Sequence, residues 1–360
     1  MVKSSLFALP CHSPMPPIRC EIAPNARVVA PYAQSLWDVA MAEGAALTSL
    51  QAAIGRGQIG ESDITVAQYL AMLAVGVAGS DAGFGWRLGL QHKPTSYGVN
   101  GILLLSCPSL GAALEQVLRF EALVHDLGRS SLSRDGEHAI YTWRNDCATS
   151  PVAGALAESV FAGILACAQW LAGRPMAGFA LEFCHDHGEA ARARIAAQSG
   201  AAVRYGARAN RVLFPLALLD YAVPQANNGL LPLLQQHAEQ LLQQRQSAQE
   251  PAIVREVRQA ILARLGGEAV RVQTVAAALC LSARTLQRRL AEAGQSFQAV
   301  LDTTRHDLAR HYLSQSTMPL AEIAYLLGYG DPAAFHHAFK SWQGQGPGQY
   351  RDQIGRQATL

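Results

Sequence analysis

The sequence predicts an α+β N-terminal domain followed by an all-α C-terminal domain, in which a long helix joins two helix-turn-helix units. The chain has 360 residues, which is long enough for two domains. Half of its residues are hydrophobic and 16% are charged, so it can bury sizeable cores and is not a disordered chain. After Pro251 the hydrophobic pattern changes from mixed helices and strands to a series of short helices.

Composition shifts predict four segments. Residues 1–23 contain four prolines and are expected to form a flexible tail. Residues 24–228 are expected to form the α+β domain. Residues 229–250 are rich in glutamine and have helical apolar spacing, which predicts a connecting helix and a short linker. Residues 251–355 are expected to form the all-α domain.

The N-terminal domain carries signals for both helices and strands. Asp135-Gly136 lies between two strand-like segments, which is a strong β-hairpin signal. The predicted helices cover 63–79, 109–124, 153–171 and 189–198, and the predicted strands cover 130–133, 138–143, 178–184 and 211–214. This mixture of elements indicates an α+β domain.

The first C-terminal unit is a helix over 275–279, a tight turn and a second helix over 283–290. Ser282 is a good N-cap for the second helix, whose Leu286 and Leu290 share one inward face. The outer face carries Arg284, Gln287 and Arg288. Arginine can pair with guanine and glutamine with adenine in a major groove, but a solvated amphipathic helix explains this segment alone equally well.

A second unit of the same kind follows. A helix over 296–314 leads to a helix over 319–327, a Gly-Tyr-Gly turn, and a helix with Asp331 as its N-cap. The long helix would span about 28 Å, close to the ~34 Å between successive major grooves on one face of DNA. Residues 251–360 contain 12 Lys and Arg against 8 Asp and Glu, and this excess is compatible with a nucleic-acid partner.

Residues 251–352 resemble the DNA-binding domain of the AraC/XylS family of bacterial transcription regulators. The resemblance rests on LSARTLQRRLAEAGQSF, RHDLARHYL, PLAEIAYLLGYGDPAAFHHAFKSW and GQGPGQYR. It implies a double-stranded DNA partner and recognition helices at about 282–293 and 331–342. The residues it places at DNA are Ala283, Arg284, Thr285, Gln287, Arg288, Pro332, Ala333, Ala334, His336, His337 and Lys340, with Lys340 near phosphate.

Two positions depart from the family pattern. His337 stands where family members often carry arginine, so the second recognition helix has few strong hydrogen-bond donors. We therefore expect the first unit to read most of the sequence and the second mainly to position the protein. Cys280 occupies a turn position that is often glycine, where tolerance of a small side chain is a simpler explanation than a redox switch.

The N-terminal domain resembles the effector domain of a large AraC subgroup, which is called arabinose-binding after the family's namesake. The similar segments are YGVNGILLLSCPSLGAALEQVLRF and FCHDHGEAARARIAAQSGAAVRYGARANRVLFP. The resemblance implies a small-molecule effector and dimerisation, without identifying arabinose as the ligand. Candidate residues for an apolar effector pocket are Trp86, Tyr97, Phe120, Trp143 and Phe161. Three arginines could hold an anionic effector, namely Arg87, Arg119 and Arg144.

Other classes of protein find little support. No GxSxG, P-loop, HExxH or GxGxxG motif stands in a suitable context, so no catalytic residue and no cofactor is predicted. His185 and His187 could bind zinc, but no third ligand is evident and no metal site is predicted. Seven scattered cysteines without a CxxC favour reduced thiols. The uncharged windows are short or interrupted, and the N-terminus is a poor signal peptide, so we expect a cytoplasmic protein that does not enter a membrane.

These observations predict a sequence-specific DNA-binding transcription regulator, expected to be an activator that contacts RNA polymerase as a homodimer. A small molecule in the N-terminal domain would control it, with the helix at 230–247 as the coupling element. One alternative is a ligand-independent dimeric regulator whose N-terminal domain serves only dimerisation or partner contact. A second alternative is an enzyme or a metal sensor that uses the segment Cys184–His187.

Overall fold

The computed structural model describes residues 23, 25–81, 83–265, 270–315 and 318–357. Its contacts divide the chain into two compact units, Met1–Arg245 and Gln246–Leu360. All of the predicted tail except Ala23 lies outside the described residues.

The N-terminal unit is an α+β domain, as predicted. Its helices are α1 Ala30–Ala42, α2 Leu47–Ile54, α3 Val66–Ala78, α4 Phe84–Leu90, α5 Val99–Leu105, α6 Leu110–Phe120, α7 Ala153–Ala172, α8 Gly188–Ser199 and α9 Leu231–Gln249. Its strands are β1 Arg27–Val28, β2 Ile64–Thr65, β3 Gly128–Asp135, β4 His138–Asn145, β5 Ala180–Glu182, β6 Ala202–Arg204 and β7 Asn210–Pro215.

Five of the strands form one sheet in the order β3-β4-β7-β5-β6. The β3–β4 hairpin pairs Asp135 with His138 at its tip, and Gly136 adopts a φ of 57° in the turn. This positive φ is the reason that glycine suits the position. The pairing of β5 with β6 is parallel and the other pairings are antiparallel.

Helix α7 is the central element of the N-terminal core. By length and composition it is the one described helix that could cross a membrane, but 67% of its most apolar window is buried inside this domain. Gly85 and Gly89 on α4 let that helix approach α7 closely, because a side chain at either position would collide with the α7 backbone. Its apolar composition therefore reflects burial in a protein core.

The C-terminal unit is entirely helical among its described residues. Its helices are α10 Ala252–Leu262, α11 Val272–Ala278, α12 Ala283–Glu292, α13 Phe297–Gln315, α14 Leu320–Leu326, α15 Pro332–Gln343 and α16 Pro347–Gln357. The long helix α13 contributes Val300 and Leu301 to one hydrophobic core and Ala309 and Leu313 to another. Each core supports one helix-turn-helix unit, so α13 joins the two units as predicted.

Candidate nucleic-acid interface and ligand cavity

The first helix-turn-helix unit consists of α11 and α12. Ser282 caps α12, since its Oγ accepts a hydrogen bond from the Thr285 backbone N–H at 3.1 Å. Leu286 and Leu290 are fully buried against the core of the unit. The predicted reading residues Arg284, Gln287 and Arg288 are all exposed on the other face. This side of α12 is therefore free to enter a groove of DNA.

The contacts and exposure of three polar side chains on α12, namely Thr285, Arg288 and Arg289, add detail to this description. Thr285 Oγ1 lies 2.8 Å from Ser282 Oγ, so its hydroxyl already takes part in the helix cap. Arg288 pairs with Glu292 at 2.8 Å, and more than half of each side chain is exposed. Such exposed pairs contribute only about 0–1 kcal/mol to stability, so Arg288 can exchange this partner for DNA. Arg289 is also exposed, and the sequence prediction had left it out.

The second unit consists of α14 and α15 and has a less polar outer face. Asp331 caps α15 by accepting a hydrogen bond from the Ala333 N–H at 3.0 Å. Phe335 and Phe339 are buried in the core of this unit. The six residues predicted to lie at DNA are all exposed, namely Pro332, Ala333, Ala334, His336, His337 and Lys340. Only the two imidazoles and Lys340 carry side-chain donors there.

The final helix, α16, packs against the second unit. The last two residues of the GQGPGQYR segment, Tyr350 and Arg351, make the main contacts. The Tyr350 ring packs on Phe339 with ring centroids 5.3 Å apart, and its hydroxyl accepts a hydrogen bond from Arg310 Nε at 3.1 Å. Arg351 donates to the Met318 carbonyl at 2.7 Å, just before α14 begins. These contacts tie α16 to α13 and to the start of α14.

The N-terminal domain contains a cavity of about 160 Å³ between the sheet and its helices. The lining comes mainly from α5, α6, α7, β5 and β7, and most of it is aliphatic or aromatic. Representative apolar lining residues are Leu104, Leu114, Val117, Phe161, Ile164, Leu165, Phe179 and Phe214. A cavity of similar volume in another protein stays dry and binds benzene, so this space suits a ring-sized apolar molecule.

A few buried polar groups also face the cavity. Asn100 Oδ1 and His125 Nδ1 are buried without a hydrogen-bond partner among the described residues. Burial lowers the pKa of His125 to about 4, so this imidazole is neutral at neutral pH. Burial raises the pKa of Glu121, whose carboxylate accepts hydrogen bonds from the Ser130 N–H and hydroxyl at 2.8 and 2.7 Å. Unpaired buried groups of this kind can orient a ligand.

The structure brings two of the five predicted pocket residues to the cavity, Tyr97 and Phe161. Trp86, Phe120 and Trp143 are fully buried but do not line it, which corrects the prediction. Trp86 and Trp143 belong to the main core, and Phe120 packs with Leu103 and Ala238 in a separate cluster. Sequence analysis missed Asn100, Glu121 and His125; the four-residue spacing of the last two could have indicated a shared helical face.

The three arginines considered for an anionic effector do not line the cavity, and each has an acidic partner. Arg87 binds Glu43 and Asp81 at 2.6 and 2.7 Å. Arg119 binds Glu239, and Arg144 binds Asp146 at 2.7 Å. An anionic effector held by these arginines stays a prediction, and such a ligand would have to compete with these acidic partners.

The N-terminal part of α9 packs against the domain that holds the cavity. Leu231, Leu234 and Leu242 pack around Leu103 and Phe120. Polar contacts reinforce this packing: Arg245 binds Asp126 at 2.7 Å, Gln235 donates to Gln116 at 3.2 Å, and Arg119 binds Glu239. Helix α6 therefore contacts α9 and also lines the cavity.

A cluster around Glu158 changes the interpretation of the Cys184–His187 segment. The strand ends at Glu182, so His185 and His187 lie in a loop and the predicted strand to residue 184 is too long. Glu158 Oε1 lies 3.1 Å from His185 Nε2 and 3.0 Å from His187 Nδ1. Burial raises the pKa of Glu158, but the hydrogen bonds from both histidines outweigh burial and bring it to about 2. The sequence analysis found no third ligand beside the two histidines; Glu158 supplies one.

Comparisons with known proteins identify a known type of domain in each of the two parts of the chain. Residues 45–223 match the arabinose-binding domain of AraC transcription regulators, and residues 275–353 match a helix-turn-helix domain. An ornithine utilization regulator of Pseudomonas aeruginosa is 28% identical over 89% of this chain and 90% of its own length. An uncharacterized helix-turn-helix regulator of Mycobacterium tuberculosis is 29% identical over 75% and 78% of the two chains.

Among solved structures, the regulator CdpR of Pseudomonas aeruginosa aligns over 79% of this chain and 90% of its own, with 25% identity and a TM-score of 0.41. With both domain types present in order, the chain belongs to the AraC family of DNA-binding transcription regulators and carries an arabinose-binding-type N-terminal domain.

Proposed function

We propose that this regulator is a cytoplasmic, sequence-specific transcription activator whose DNA binding or polymerase contact is controlled by a small molecule in the N-terminal cavity. It would act as a homodimer, with RNA polymerase as a further partner. The observation that carries the proposal is the apolar cavity, which lies in the effector-type domain and keeps buried polar atoms that have no partner among the described residues. Empty space of this size costs packing energy, which a ligand would recover.

The lining selects the chemical class of the effector. A sugar or a zwitterionic amino acid would lose most of its hydrogen bonds to water in this apolar space. A neutral, largely hydrocarbon molecule would lose little, and one polar group could bond to Asn100 Oδ1 or His125 Nδ1. We therefore expect a small aromatic or short aliphatic molecule with one hydrogen-bond donor.

A route from cavity to DNA-binding domain is available through α6 and α9. Val117 on α6 lines the cavity, while Gln116 on the same helix accepts a hydrogen bond from Gln235 on α9. A ligand that favours one position of α6 would thereby favour one position of α9. Because α9 ends two residues before the DNA-binding domain begins, such a bias can change how that domain is presented.

The test combines ligand screening with a matched pair of cavity variants. A panel of neutral aromatic and short aliphatic compounds is screened by thermal shift on the full chain, and positive compounds are measured by calorimetry. Val117→Phe fills the cavity and should weaken binding at least about tenfold. Leu118→Phe changes the neighbouring residue, which does not line the cavity, and should bind like the wild type.

DNA binding is measured separately, by selection of sites from random duplexes followed by fluorescence anisotropy. A ligand that changes operator affinity or transcription in vitro supports effector control. If no compound binds while the protein still selects a defined operator as a dimer, the ligand-independent regulator replaces the effector-controlled one. Repression in the transcription assay would contradict the activator role.

A further inference from the structure

The Glu158 cluster brings together three side chains that can each offer one metal-binding atom. Glu158 lies on α7, while His185 and His187 lie in the loop between β5 and α8. Their ligand atoms all lie within 4.8 Å of one another. Two imidazoles and one carboxylate form a ligand set that first-row transition metals accept in proteins. The cluster lies in the N-terminal unit, and none of its three residues lines the cavity.

The distances fit a common metal ion. A tetrahedral zinc ion with bonds of about 2.0–2.1 Å places its ligand atoms about 3.3 Å from one another. The two imidazole nitrogens lie 3.1 and 3.0 Å from Glu158 Oε1. Two of the three distances between ligand atoms are therefore close to the tetrahedral value, and the third lies within 4.8 Å.

Charge and hydrogen bonding also favour a cation. Glu158 is 0% exposed, and its Oε2 is buried without a hydrogen-bond partner among the residues that the structure describes. Both imidazoles and the Tyr205 hydroxyl at 2.9 Å converge instead on Oε1. A buried carboxylate is costly unless a positive charge balances it. A divalent ion bound to Oε1 would supply that positive charge. It would also displace the Tyr205 hydroxyl from Oε1, so that this hydroxyl could support the carboxylate as a hydrogen-bond donor outside the metal ligands.

Helix α7 leaves room for the His185 and His187 rings beside Glu158. Gly154 precedes Glu158 by one helical turn, and a side chain there would meet the His187 and His185 rings at 2.7 and 2.8 Å. The absent Cβ leaves the space that the histidines occupy. The side chains of His185 and His187 are 17% and 33% exposed, so a fourth coordination position can reach solvent.

The two remaining polar residues of the loop are placed outside the ligand set. Asp186 Oδ1 accepts a hydrogen bond from the Gly188 N–H at 2.7 Å and is absent from the group of converging ligand atoms. Cys184 is exposed and its thiol is also absent from that group. The ligand set is therefore two histidines and one glutamate.

We infer that Glu158, His185 and His187 form a binding site for a divalent transition-metal ion of the Zn²⁺ class, with the fourth position open to water or an exogenous ligand. The ion would fasten the β5–α8 loop to α7. Phe183 connects this site to the cavity, since its ring lies 5.2 Å from the His185 ring and 5.4 Å from that of Phe161, which lines the cavity. Occupancy can therefore influence the ligand pocket through packing.

The test uses the full chain, stripped with a chelator and titrated with Zn²⁺ in competition with a fluorescent indicator, and separately with Co²⁺ as a spectroscopic probe. We expect one equivalent of Zn²⁺ per chain, a rise in melting temperature that EDTA reverses, and visible Co²⁺ absorption typical of a four-coordinate site. Glu158→Gln and His187→Gln should each weaken Zn²⁺ binding at least about tenfold.

Two control variants separate the proposed ligands from other donors. His237→Gln removes an exposed histidine of α9, and Cys184→Ser removes the nearby thiol; both should retain wild-type affinity. Wild-type affinity in Glu158→Gln and His187→Gln would overturn the site. If either variant fails to fold, the wild-type titration decides, because absence of stoichiometric Zn²⁺ binding and of an EDTA-reversible thermal shift also overturns it.

Discussion

Cys280 and Gly328 occupy equivalent positions in the turns of the two helix-turn-helix units. Both have a positive φ, 55° at Cys280 and 74° at Gly328, and Cys280 is the one non-glycine residue with positive φ in the described part of the chain. In each unit the next residue donates to a carbonyl five residues earlier, from Leu281 to Ala276 at 2.9 Å and from Tyr329 to Ala324 at 3.0 Å. This pattern ends a helix with a left-handed residue, which glycine accepts more readily than cysteine.

The first prediction follows from this pair. Cys280→Gly should stabilise the C-terminal domain by about 0.5–1 kcal/mol, because relief of left-handed strain exceeds the added entropy of the unfolded chain. Gly328→Ala should destabilise it by about 1 kcal/mol. Chemical denaturation monitored by circular dichroism measures both. Cys280→Ala, which keeps a Cβ, is the control and should show little gain; an equal gain in that variant would contradict the strain argument.

A second prediction concerns Arg305 on α13. Its Nε donates to the Leu327 carbonyl at 2.9 Å and its Nη2 to the Gly328 carbonyl at 3.3 Å, while its guanidinium lies 4.6 Å from the centre of the Tyr329 ring. Arg305→Ala should destabilise the second unit by about 1–3 kcal/mol, because it leaves the helix-end carbonyls without these donors.

Urea unfolding of Arg305→Ala tests that role, with Arg305→Lys as the matched variant. Lysine keeps the charge but has no planar fork to reach two carbonyls and stack on a ring, so it should recover only part of the stability. Full recovery by lysine would mean that charge alone matters at this position.

The two recognition helices should differ in how they contribute to DNA binding. Gln287→Ala or Arg288→Ala should reduce the free energy of DNA binding by about 1–3 kcal/mol, because each side chain can form directed hydrogen bonds to base edges. The loss should depend on the base at one or two positions of the operator. The free-energy cost of His337→Ala should be distinctly smaller, since α15 presents few donors and is expected mainly to contact the DNA backbone. Anisotropy titrations with operator variants measure both quantities. Equal losses from the two helices would refute this division of roles.

The C-terminal domain was predictable almost to the residue because its signals are local. Ser282 and Asp331 begin their helices as caps, and apolar pairs four residues apart mark the inward faces. The predicted helix over 296–314 is observed as Phe297–Gln315. The division of the chain at 229–250 stays a prediction, although the boundary between compact units falls after Arg245.

The N-terminal sites could be predicted only in part because their residues meet from distant parts of the chain. The cavity collects side chains from Tyr32 to Leu219, and no local spacing distinguishes a lining aromatic such as Phe161 from a core aromatic such as Trp143. Glu158 meets histidines 27 and 29 residues later. One signal was available: Glu158 is the single charged residue in the apolar helix α7, and a buried carboxylate requires partners.

The stability of the N-terminal domain should depend on two buried imidazoles. Burial lowers the pKa of His92 to about 3 and that of His125 to about 4. In the unfolded chain both groups titrate near 6.5. Below that value the unfolded state binds protons that the folded state does not. Each group therefore lowers the free energy of unfolding by up to about 1.4 kcal/mol per pH unit as the pH falls toward 4.

Urea unfolding at pH 7, 6 and 5 measures this dependence. His92→Phe keeps a ring in the space between Tyr32 and Tyr97. It should reduce the slope of the unfolding free energy against pH by the contribution of one imidazole. His237→Gln changes an exposed histidine and should leave the slope unchanged. An unchanged slope in His92→Phe would show that His92 does not stay neutral in the folded protein.

The last prediction concerns α9 as the coupling element between the two domains. Gln240→Pro should interrupt this helix, because proline removes a backbone donor and clashes with the preceding turn at a cost of about 3 kcal/mol. The break lies between Gln235, which bonds to Gln116 on α6, and Arg245, which bonds to Asp126. We expect ligand binding to persist while its effect on operator affinity is lost. Gln240→Ala keeps the helix and should respond like the wild type, and a full ligand response in Gln240→Pro would exclude α9 as the route.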